Sequence, residues 1–525
     1  MITSLDALAE IEISADLCIV GAGPAGLEVA RRFTGGTVRV VVLEGGDFDY
    51  DQRTQSLHRI VCVGKQIRNF ANEFNPDLPP EIRWESRVRQ FGGTSNVWSG
   101  KWKALTPEDF ESKAWIPHSG WPLTYDEILP YYQEVVRDYG LPQLLLDSRT
   151  ARPDSRWGPG ADALRRDMHY KQSPPLNFGS AFRGILEDSH NITVILNANV
   201  TRLVTDAVAS RISHIVVRGL GGKEIHIHAG ALVLAAGGLE NARFILGMKD
   251  GRGQAVGHNH DLIGRFYMDH PKLKSGRLVP DHPLRLKRFW APKKGEKDIA
   301  FGLCLSPALR EHASLPNHRT ELAPASAPDD WSVWVAMKAA RSERRWLTFL
   351  KLFAVAISRS PKRVFRRLLL RYLGLAPQYE LVHHLEQLPN PESRVCLSSR
   401  EADAFGEPVL VVDWKLTERD RVLFQSYLDN LQAEIRRHRI GQVTYPPQEV
   451  DLDAMADAAH HMGTTRMGSS HRDGAVDKNC KVFGIDNLYV AGSSVFPTGG
   501  NANPMLTILA LSRRLASHLS QSSFT

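Results

Sequence analysis

The hydrophobic pattern of the first fifty residues predicts a strand, a tight turn, a helix and a second strand. Residues 15 to 20 are mostly apolar, GAGPAG follows at 21 to 26, and residues 25 to 33 favour a helix. Residues 38 to 43 form a second, β-branched apolar run. This order is typical of a βαβ unit in a parallel sheet.

Later segments alternate between helical and strand patterns. WPLTYDEILPYYQEVVRDYGL predicts a helix capped by Thr124, with Glu127 three residues later. Residues 192 to 234 predict short strands (ITVIL, HIVVRGL, EIHIH) and then a separate apolar strand, ALVLAAGG. The chain closes with a strand, NLYVAG, a small-residue loop and a helix from about Pro504 to Leu519.

Between Pro271 and Val450 the pattern is less regular. The runs YELVHHLEQ, SRVCLS and VLVVDWKL favour an antiparallel sheet. With 525 residues, the chain is long enough for two domains. We therefore expect an α/β fold, in which an α+β substrate domain on a mainly antiparallel sheet is inserted into a Rossmann-like nucleotide-binding domain. The predicted boundaries are 1–134, 187–272 and 452–525 for the nucleotide-binding domain, and 135–186 and 273–451 for the substrate domain.

Composition adds few constraints. The chain is 42% hydrophobic and 23% charged, as in ordinary globular proteins. Its five cysteines are scattered without CxxC spacing, which argues against a disulfide framework, a zinc site or a c-type haem. No metal site is predicted. Acidic residues at the amino terminus differ from the basic start of a signal peptide, so we expect a cytoplasmic protein.

The positive charge of the chain is local. Residues 341 to 372 contain ten Lys or Arg and one acid, a net charge of +9, so the rest of the chain carries −2. That distribution argues against a general nucleic-acid binder. In the basic amphipathic segment 341–373, the longest uncharged run is too short to span a bilayer, which takes about 20 residues. It could lie on an anionic membrane surface, bind an acidic partner or cover the active-site entrance.

The glycine loop has the residues that hold a dinucleotide. Gly21 permits the tight turn, Gly23 lets backbone approach a pyrophosphate, and Gly26 lets the helix pack on the strand, with Ala25 beside it. Glu44 ends the second strand, where a carboxylate accepts hydrogen bonds from an adenosine ribose and repels a 2′-phosphate. FAD or NAD is favoured over NADP. The alternative is a glycine turn with an incidental surface acid.

Several motifs together resemble one family. They are the glycine loop, RQFGGTSNVWSG (89–100), LVLAAGGLENARFIL (232–246), DLIGRFYMDHP (261–271), EQLPNPESRVCLS (386–398), HHMGTTRMG and NLYVAGSSVFPTGGNANPMLTILAL. This set is similar to the glucose-methanol-choline (GMC) oxidoreductases, whose fold is the p-hydroxybenzoate hydroxylase-like architecture. The resemblance is greatest to the branch of pyranose 2-oxidase and bacterial sugar dehydrogenase flavoproteins, because the carboxy-terminal pair is His with Asn.

The resemblance implies FAD, a two-lobed fold and oxidation of a CH–OH group. His460 matches the family's catalytic base and Asn503 its partner. Val97 stands where pyranose 2-oxidases carry a flavin-linked histidine, so we expect non-covalent FAD. Further cofactor contacts are expected at Gly92, Gly93, Thr94, Asn96, Trp98, Ser99, Val200, Ala236, Gly492, Ser493, Pro504 and Met505.

The residue types themselves suit alcohol oxidation. An imidazole with an ordinary pKa of about 6.5 can accept a hydroxyl proton near neutral pH. The Asn503 amide can donate to the substrate oxygen while remaining uncharged. Each residue has an alternative reading: His460 as a hydrogen-bonded buried histidine, and Asn503 as the cap of a helix with Pro504 at its first position. His461 is an alternative base.

The expected function is FAD-dependent oxidation of a secondary hydroxyl of a sugar or glycoside to a ketone. One alternative is oxidation of a hydrophobic or lipid-linked alcohol at a membrane surface, and another is a non-catalytic flavin-binding protein at such a surface. The expected electron acceptor is oxygen, a quinone or a carrier protein.

Overall fold

The computed structural model describes most of the chain. The described residues are 1–67, 86–146, 163–250, 261–284, 286, 298–324, 346–359, 361–368, 376, 378–447 and 450–521. Within the basic segment 341–373, positions 341–345, 360 and 369–373 lie outside them.

The described residues contain eighteen strands and eleven α-helices. The strands are β1 (Ile2–Ser4), β2 (Glu12–Val20), β3 (Val40–Leu43), β4 (Ile60–Cys62), β5 (Lys101–Trp102), β6 (Leu164–Lys171), β7 (Ile192–Leu196), β8 (Asn199–Thr205), β9 (Ile212–Arg218), β10 (Glu224–Leu234), β11 (Lys272–Pro280), β12 (Ile299–Leu305), β13 (Arg319–Pro324), β14 (Tyr379–His384), β15 (Arg394–Ala402), β16 (Pro408–Asp413), β17 (Gly441–Thr444) and β18 (Leu488–Val490). The helices are α1 (Pro24–Arg31), α2 (Gln52–Gln55), α3 (Pro107–Phe110), α4 (Tyr125–Asp138), α5 (Phe178–Glu187), α6 (Gly237–Leu246), α7 (Pro307–His312), α8 (Trp346–Arg359), α9 (Pro361–Leu368), α10 (Glu418–Arg437) and α11 (Met505–Ser520).

An eight-stranded sheet carries the glycine loop. Its order is β1-β7-β3-β2-β10-β9-β8, and β18 also pairs with β10. The sheet neighbours β1, β7, β3, β2 and β10 pair in parallel, and β18 pairs in parallel with β10. The strands β10, β9 and β8 form an antiparallel meander. The parallel strands are buried and apolar, as expected of strands covered on both faces. The βαβ unit, the α/β class and the carboxy-terminal strand and helix are confirmed.

The second large sheet is antiparallel. It has seven strands in the order β17-β11-β14-β13-β12-β6-β5, and α10 packs beside it. The strands β15 and β16 lie outside this sheet, in a three-stranded sheet with β4. Their buried side chains join the core of the first sheet. Two large apolar cores therefore exist, one for each large sheet, in agreement with the expected two-lobed fold.

Two local expectations have different outcomes. The Thr124 capping box is confirmed, because Glu127 accepts from the Thr124 N–H at 2.9 Å and its own N–H returns to the hydroxyl at 3.3 Å. The prediction of separate strands for EIHIH and ALVL is wrong. Both belong to β10, since the first half pairs with β9 and the second with β18 while β2 supports the full length.

A fully buried ion pair joins three helices beneath the glycine loop. Arg513 of α11 donates from Nε to Glu28 of α1 at 2.6 Å, and both side chains are 0% exposed. Arg513 also donates to Asp138 of α4 at 2.9 Å. Because Glu28 lies one turn after the loop, this pair fixes the helix whose amino terminus faces the cofactor site.

The basic segment forms two helices, α8 and α9, whose buried contact is small. Several of their apolar side chains are exposed, namely Trp346, Leu347, Leu350, Val355, Ile357 and Phe365. Among the described helices, none is long and apolar enough to cross a bilayer.

Candidate active site

A large cavity begins at the glycine loop and ends between the two lobes. Its volume is about 680 Å³, within the range of about 300–1,000 Å³ that small-molecule sites occupy. It brings together sixteen of the residues predicted from sequence, namely Gly21, Gly23, Ala25, Glu44, Gly93, Thr94, Trp98, Ser99, Val200, Ala236, Gly492, Ser493, Pro504, Met505, His460 and Asn503. Three others, Gly26, Gly92 and Asn96, do not line it.

The turn between β2 and α1 can only be built from glycine at two positions. Gly21 has φ of +104°, and a Cβ there would lie 2.7 Å from the Ala235 carbonyl oxygen. A Cβ on Gly26 would lie 2.0 Å from the Gly21 oxygen. Gly26 therefore allows the close contact between helix and strand, as the sequence predicts, and it does not line the cavity.

Glu44 lies at the bottom of the nucleotide end. Its carboxylate accepts the Ala22 N–H and the Gly46 N–H, each at 2.9 Å. Burial raises the pKa of Glu44, while these backbone donors and Arg89 act in the opposite direction. Each carboxylate oxygen keeps a second lone pair, which leaves acceptor capacity for ribose hydroxyls.

Two arginines that the sequence did not single out line the same end. Arg87 and Arg89 donate to the two oxygens of Glu240 at 3.2 and 3.1 Å, and Arg89 also donates to Asn199 at 3.1 Å. The three positive neighbours of Glu240, with Arg89 first, outweigh its burial and lower its pKa to about 2. This fixed pair of guanidinium groups gives the cavity a positive wall suited to phosphate.

Three glycines in the cavity wall leave room that no protein atom fills. A Cβ on Gly23 would find no protein atom nearer than 3.9 Å, and the same holds for Gly492. Gly237 has no atom within 4 Å of such a Cβ. The wall is thus backbone without side chains where a ligand approaches. The glycine N–H groups and the arginines as donors, with the Glu44 carboxylate as acceptor for ribose hydroxyls, fit FAD.

We expect Gly23→Val to fold and to lose FAD. The valine side chain would enter the cavity rather than the core, so it would weaken FAD binding by about tenfold or more, at about 1.4 kcal/mol per factor of ten. The bound flavin absorbance after gel filtration measures this loss. The control is Gly184→Val on the exposed face of α5, where a Cβ also meets no protein atom. Equal FAD retention in both variants would contradict the assignment.

The loop 92–99 packs against the glycine loop. The Gly92 N–H donates to the Ala22 oxygen at 2.8 Å, and a Cβ on Gly93 would lie 2.8 Å from the Gly23 Cα. The Asn96 amide donates to the Gly93 oxygen at 2.8 Å, so its side chain shapes the turn. The Trp98 Nε1 donates to the Leu176 oxygen at 2.8 Å, which fixes a ring that lines the cavity.

His460 and Asn503 meet at the other end of the cavity. The Asn503 Nδ2 lies 3.3 Å from the His460 Nε2, and the Asn503 Oδ1 accepts from Arg319 at 3.4 Å. The His460 Nδ1 lies 2.8 Å from the Nδ1 of His270. Burial, followed by His270 and Lys272, lowers the pKa of His460 well below its usual range. His460 is therefore neutral near pH 7 and can accept a proton.

The prediction that Asn503 caps the last helix through its side chain is wrong. Pro504 occupies the cap position of α11, with no side-chain hydrogen bond to the helix. The Asn503 side chain points instead to His460 and Arg319. The helix amino terminus still opens onto the cavity at Pro504 and Met505.

One carboxylate positions both histidines. Asp269 accepts the N–H groups of His270 at 2.6 Å, Ala458 at 2.8 Å and His460 at 2.9 Å. The turn before His460 contains Ala459 with φ of +58°, a strained value for a residue with a Cβ. The strain is held by Asp457, which accepts the Ala459 N–H at 2.7 Å.

His461 faces a different environment from His460. Its polar atoms lie within 4.8 Å of those of Asp269 and Asp457, and burial lowers its pKa to about 3. Burial also raises the pKa of both carboxyls, Asp269 and Asp457.

Charged side chains from the antiparallel sheet complete the wall near His460. Glu321 accepts from Lys101 at 3.3 Å and from Arg319 at 3.2 Å, and His384 lies 3.3 Å away. Burial alone would raise the pKa of Glu321, but His384, Lys101 and Arg319 hold it well below its usual range. Lys272 also lines this wall.

The carboxy-terminal part of the chain matches a known family. The family model described as GMC oxidoreductase covers residues 389–512, which include His460 and Asn503. The 2-methyl-1,2-propanediol dehydrogenase of Mycolicibacterium austroafricanum is 23% identical, over 96% of this chain and 95% of that protein. Residues 389–512 thus match the GMC oxidoreductase family, and the similarity to a relative extends over most of the chain.

Other similarities point to the same family. The fructose dehydrogenase large subunit of Gluconobacter japonicus is 22% identical over 96% of this chain and 97% of its own. The C-glycoside 3-oxidase of Microbacterium trichothecenolyticum is 33% identical over 24% of each chain. The crystal structure titled pyridoxine 4-oxidase from Mesorbium loti shares the fold, with a TM-score of 0.58, 17% identity, and coverage of 97% of this chain and 100% of that one.

The family match indicates the cofactor and the general chemistry. GMC oxidoreductases are FAD-dependent enzymes that act on alcohols and sugars, and the cavity described above fits FAD. Sequence reasoning missed His270, Lys101, Lys272, Arg319 and Glu321. A signal existed only for His270, which stands in the quoted motif DLIGRFYMDHP.

Proposed function

We propose that the enzyme oxidises a secondary hydroxyl of a sugar or glycoside to a ketone. The observation that carries this proposal is the pairing of a neutral His460 with Asn503 at the end of the cofactor cavity, facing a wall of charged side chains. When bound, FAD supplies the acceptor for the hydride. The protein supplies the base, the oxygen donor and the substrate contacts.

The chain's residues divide the proton chemistry between them. In this proposal the His460 Nε2 accepts the hydroxyl proton, and the Asn503 Nδ2–H, which lies beside it, donates to the substrate oxygen as negative charge develops. The nearby positive charge of Arg319, which contacts the Asn503 oxygen, polarises that amide. These groups are held by buried hydrogen bonds and need little rearrangement during reaction.

A polyhydroxylated substrate suits the wall opposite FAD better than a hydrophobic alcohol. Lys101, Lys272, Glu321 and His384 line it, and such side chains exchange hydrogen bonds with hydroxyl groups in a buried site. A lipid or sterol would exclude water from this wall without offering hydrogen bonds in return, at a cost of about 1–3 kcal/mol for each hydrogen bond to water that is not replaced. Among similar proteins, fructose dehydrogenase and C-glycoside 3-oxidase act on sugar compounds by their names.

The experiment is anaerobic bleaching of the bound flavin by a panel of sugars, glycosides and long-chain alcohols. The proposal predicts reduction by a sugar or glycoside, with the product identified as a ketone. Reduction only by long-chain alcohols would favour the lipid alternative, and no reduction by any alcohol would favour a non-catalytic flavoprotein. Oxygen uptake compared with reduction of a quinone analogue identifies the acceptor class.

We also propose that FAD is held without a covalent bond. Val97 lines the cavity beside Trp98 and has no atom that can form a bond to the flavin. Release of free flavin after acid precipitation tests this. Flavin that remains with the protein pellet would contradict it.

A second proposal concerns contact with an anionic membrane surface. The helices α8 and α9 expose Trp346 (56%), Leu347 (79%) and Phe365 (63%) within the most basic part of the chain. An apolar face flanked by basic residues is the pattern of interfacial helices. Such contact would bring the enzyme to a membrane quinone or a lipid-linked glycoside.

Vesicle co-sedimentation tests this contact. We expect binding to phosphatidylserine-containing vesicles, weak binding to phosphatidylcholine alone, and a loss of about tenfold or more in Leu347→Ser/Leu350→Ser, since each buried leucine contributes about 1.5–3 kcal/mol. The control is Val422→Ser, which removes an exposed apolar side chain of α10. Equal binding of both variants would contradict the proposal.

A further inference from the structure

The hydrogen-bond partners of His270 determine which of its ring nitrogens carries hydrogen. Its Nε2 lies 2.9 Å from the Gly500 carbonyl oxygen and 3.3 Å from that of Gly499. Carbonyl oxygens only accept, so the Nε2 must donate. Burial lowers the pKa of His270 to about 4, so the ring is neutral near pH 7 and its Nδ1 bears a lone pair.

That lone pair determines the tautomer of His460. The two Nδ1 atoms lie 2.8 Å apart with the rings nearly perpendicular, at 87°. Because the His270 Nδ1 can only accept, the His460 Nδ1 must donate. In a neutral ring the hydrogen then stands on Nδ1, and the His460 Nε2 presents its lone pair to the cavity.

The contacts on the opposite side of the His460 ring independently indicate the same tautomer. Arg319 has only donors and faces one end of the Asn503 amide at 3.4 Å, so that end is the oxygen. The other end, the Nδ2, then faces the His460 Nε2 at 3.3 Å and donates to it. A donor at this place requires a lone pair on Nε2, which is the tautomer that His270 selects.

We propose that His270 is a positioning residue that holds His460 protonated at Nδ1, so that Nε2 is the basic atom, and that it stabilises the positive charge that His460 gains with the substrate proton. This rests on the proposed function. The substrate O–H bond breaks as an N–H bond forms at the His460 Nε2. His460 becomes a cation, and its Nδ1–H···Nδ1 bond to His270 becomes charge-assisted and stronger.

The surroundings explain why such a partner is needed. The charged and titratable groups that face the pair are Lys272 of β11, Arg319 and Glu321 of β13, His384 of β14 and Asp269 beside His270. The carboxylates are already engaged, Glu321 by Lys101 and Arg319 and Asp269 by three backbone N–H groups, and the other groups are positive or neutral and oppose a second cation. A neutral imidazole acceptor stabilises the protonated base without adding a buried charge.

Two substitutions separate this role from simple packing. His270→Asn places an amide oxygen near the position of the ring Nδ1 and keeps an acceptor, whereas His270→Leu fills similar space without one. Serine proteases lose about 10⁴ in kcat when the wrong imidazole tautomer is imposed; for this milder change we expect a fall in kcat of about 10–100-fold in His270→Leu. KM should change little, and His270→Asn should recover most of the loss.

The pH profile and a spectrum provide readouts that packing would not move. The His270 charge that lowers the pKa of His460 exists only when His270 is itself protonated, below a pKa of about 4. Above that pH the neutral ring acts as an acceptor, and its loss should shift the acid limb of the kcat profile to lower pH in His270→Leu. In FAD-loaded protein with ¹⁵N-histidine, the ring signal that disappears in His460→Gln should report the Nδ1–H tautomer. The spectrum is recorded without turnover, so it tests the tautomer even if no alcohol reduces the flavin. An Nε2–H tautomer, or equal kcat losses in both His270 variants with unchanged thermal stability, would overturn the proposal.

Discussion

We expect His460→Ala to lower kcat/KM by about 10²–10⁴-fold for any alcohol that reduces the flavin, the range that a general base contributes. The loss should be chemical rather than structural, because His460 lies at the cavity wall and its removal leaves the cofactor end intact. Flavin absorbance should therefore remain at parent levels. Single-turnover flavin reduction in a stopped-flow instrument measures the effect directly.

Added imidazole is the control for this variant. The missing ring leaves space beside Asn503 and His270, and free imidazole in that space should restore part of the rate. The pH dependence gives a second check. Because the pKa of His460 is well below the ordinary value, the parent enzyme should keep its base unprotonated from pH 8 to about 6.5 and lose activity only at lower pH. A parent-like rate in His460→Ala would refute the assigned base.

The largest effect on stability is expected for Arg513→Met. This change removes the fully buried partner of Glu28 and leaves its carboxylate, at 0% exposure, with only the part-exposed Arg31 at 2.9 Å and the Tyr139 hydroxyl, so the free energy of unfolding should fall by up to about 3–5 kcal/mol. Denaturant unfolding of the FAD-saturated protein measures it. The neighbouring Arg514 is part-exposed and bonds to Lys478 and Asn479, so Arg514→Met should change the free energy by less than about 0.5 kcal/mol.

The double variant Glu28→Met/Arg513→Met distinguishes an unpaired charge from lost packing. Removing both charges should recover much of the stability, since an apolar pair of similar volume often replaces a buried ion pair without loss. If the double variant is as unstable as Arg513→Met, the desolvation argument for this site is wrong.

The cofactor half of the site could be predicted from sequence because its residues are local. Gly21, Gly26 and Glu44 lie within one βαβ unit, where spacing alone determines which atoms meet. The charged wall near His460 could not be predicted, because Lys101 comes from β5 whereas Arg319 and Glu321 come from β13, a strand more than 200 positions later in the antiparallel sheet. Their meeting depends on pairings between distant strands, which the hydrophobic pattern does not specify.

Local rules also failed where tertiary contacts decided the outcome. Asn503 before Pro504 fits a helix cap by sequence, but the buried Arg319 and His460 offer its amide stronger partners than the helix end does. The strand β10 reads as two pieces because its neighbours change along its length, from β9 to β18. In both cases the sequence shows the residue types, and long-range packing determines their use.

The Asp269 carboxylate makes the two histidine segments depend on each other. Its hydrogen bonds join residues 269–270 to residues 458–460, which are almost 190 positions apart in the chain. A chimera of this chain with a related GMC oxidoreductase could take one segment from each parent. It would then combine a carboxylate with a loop that did not evolve beside it. Chimeras with a crossover between these segments should therefore bind FAD and turn over slowly, whereas crossovers outside them should preserve the rate.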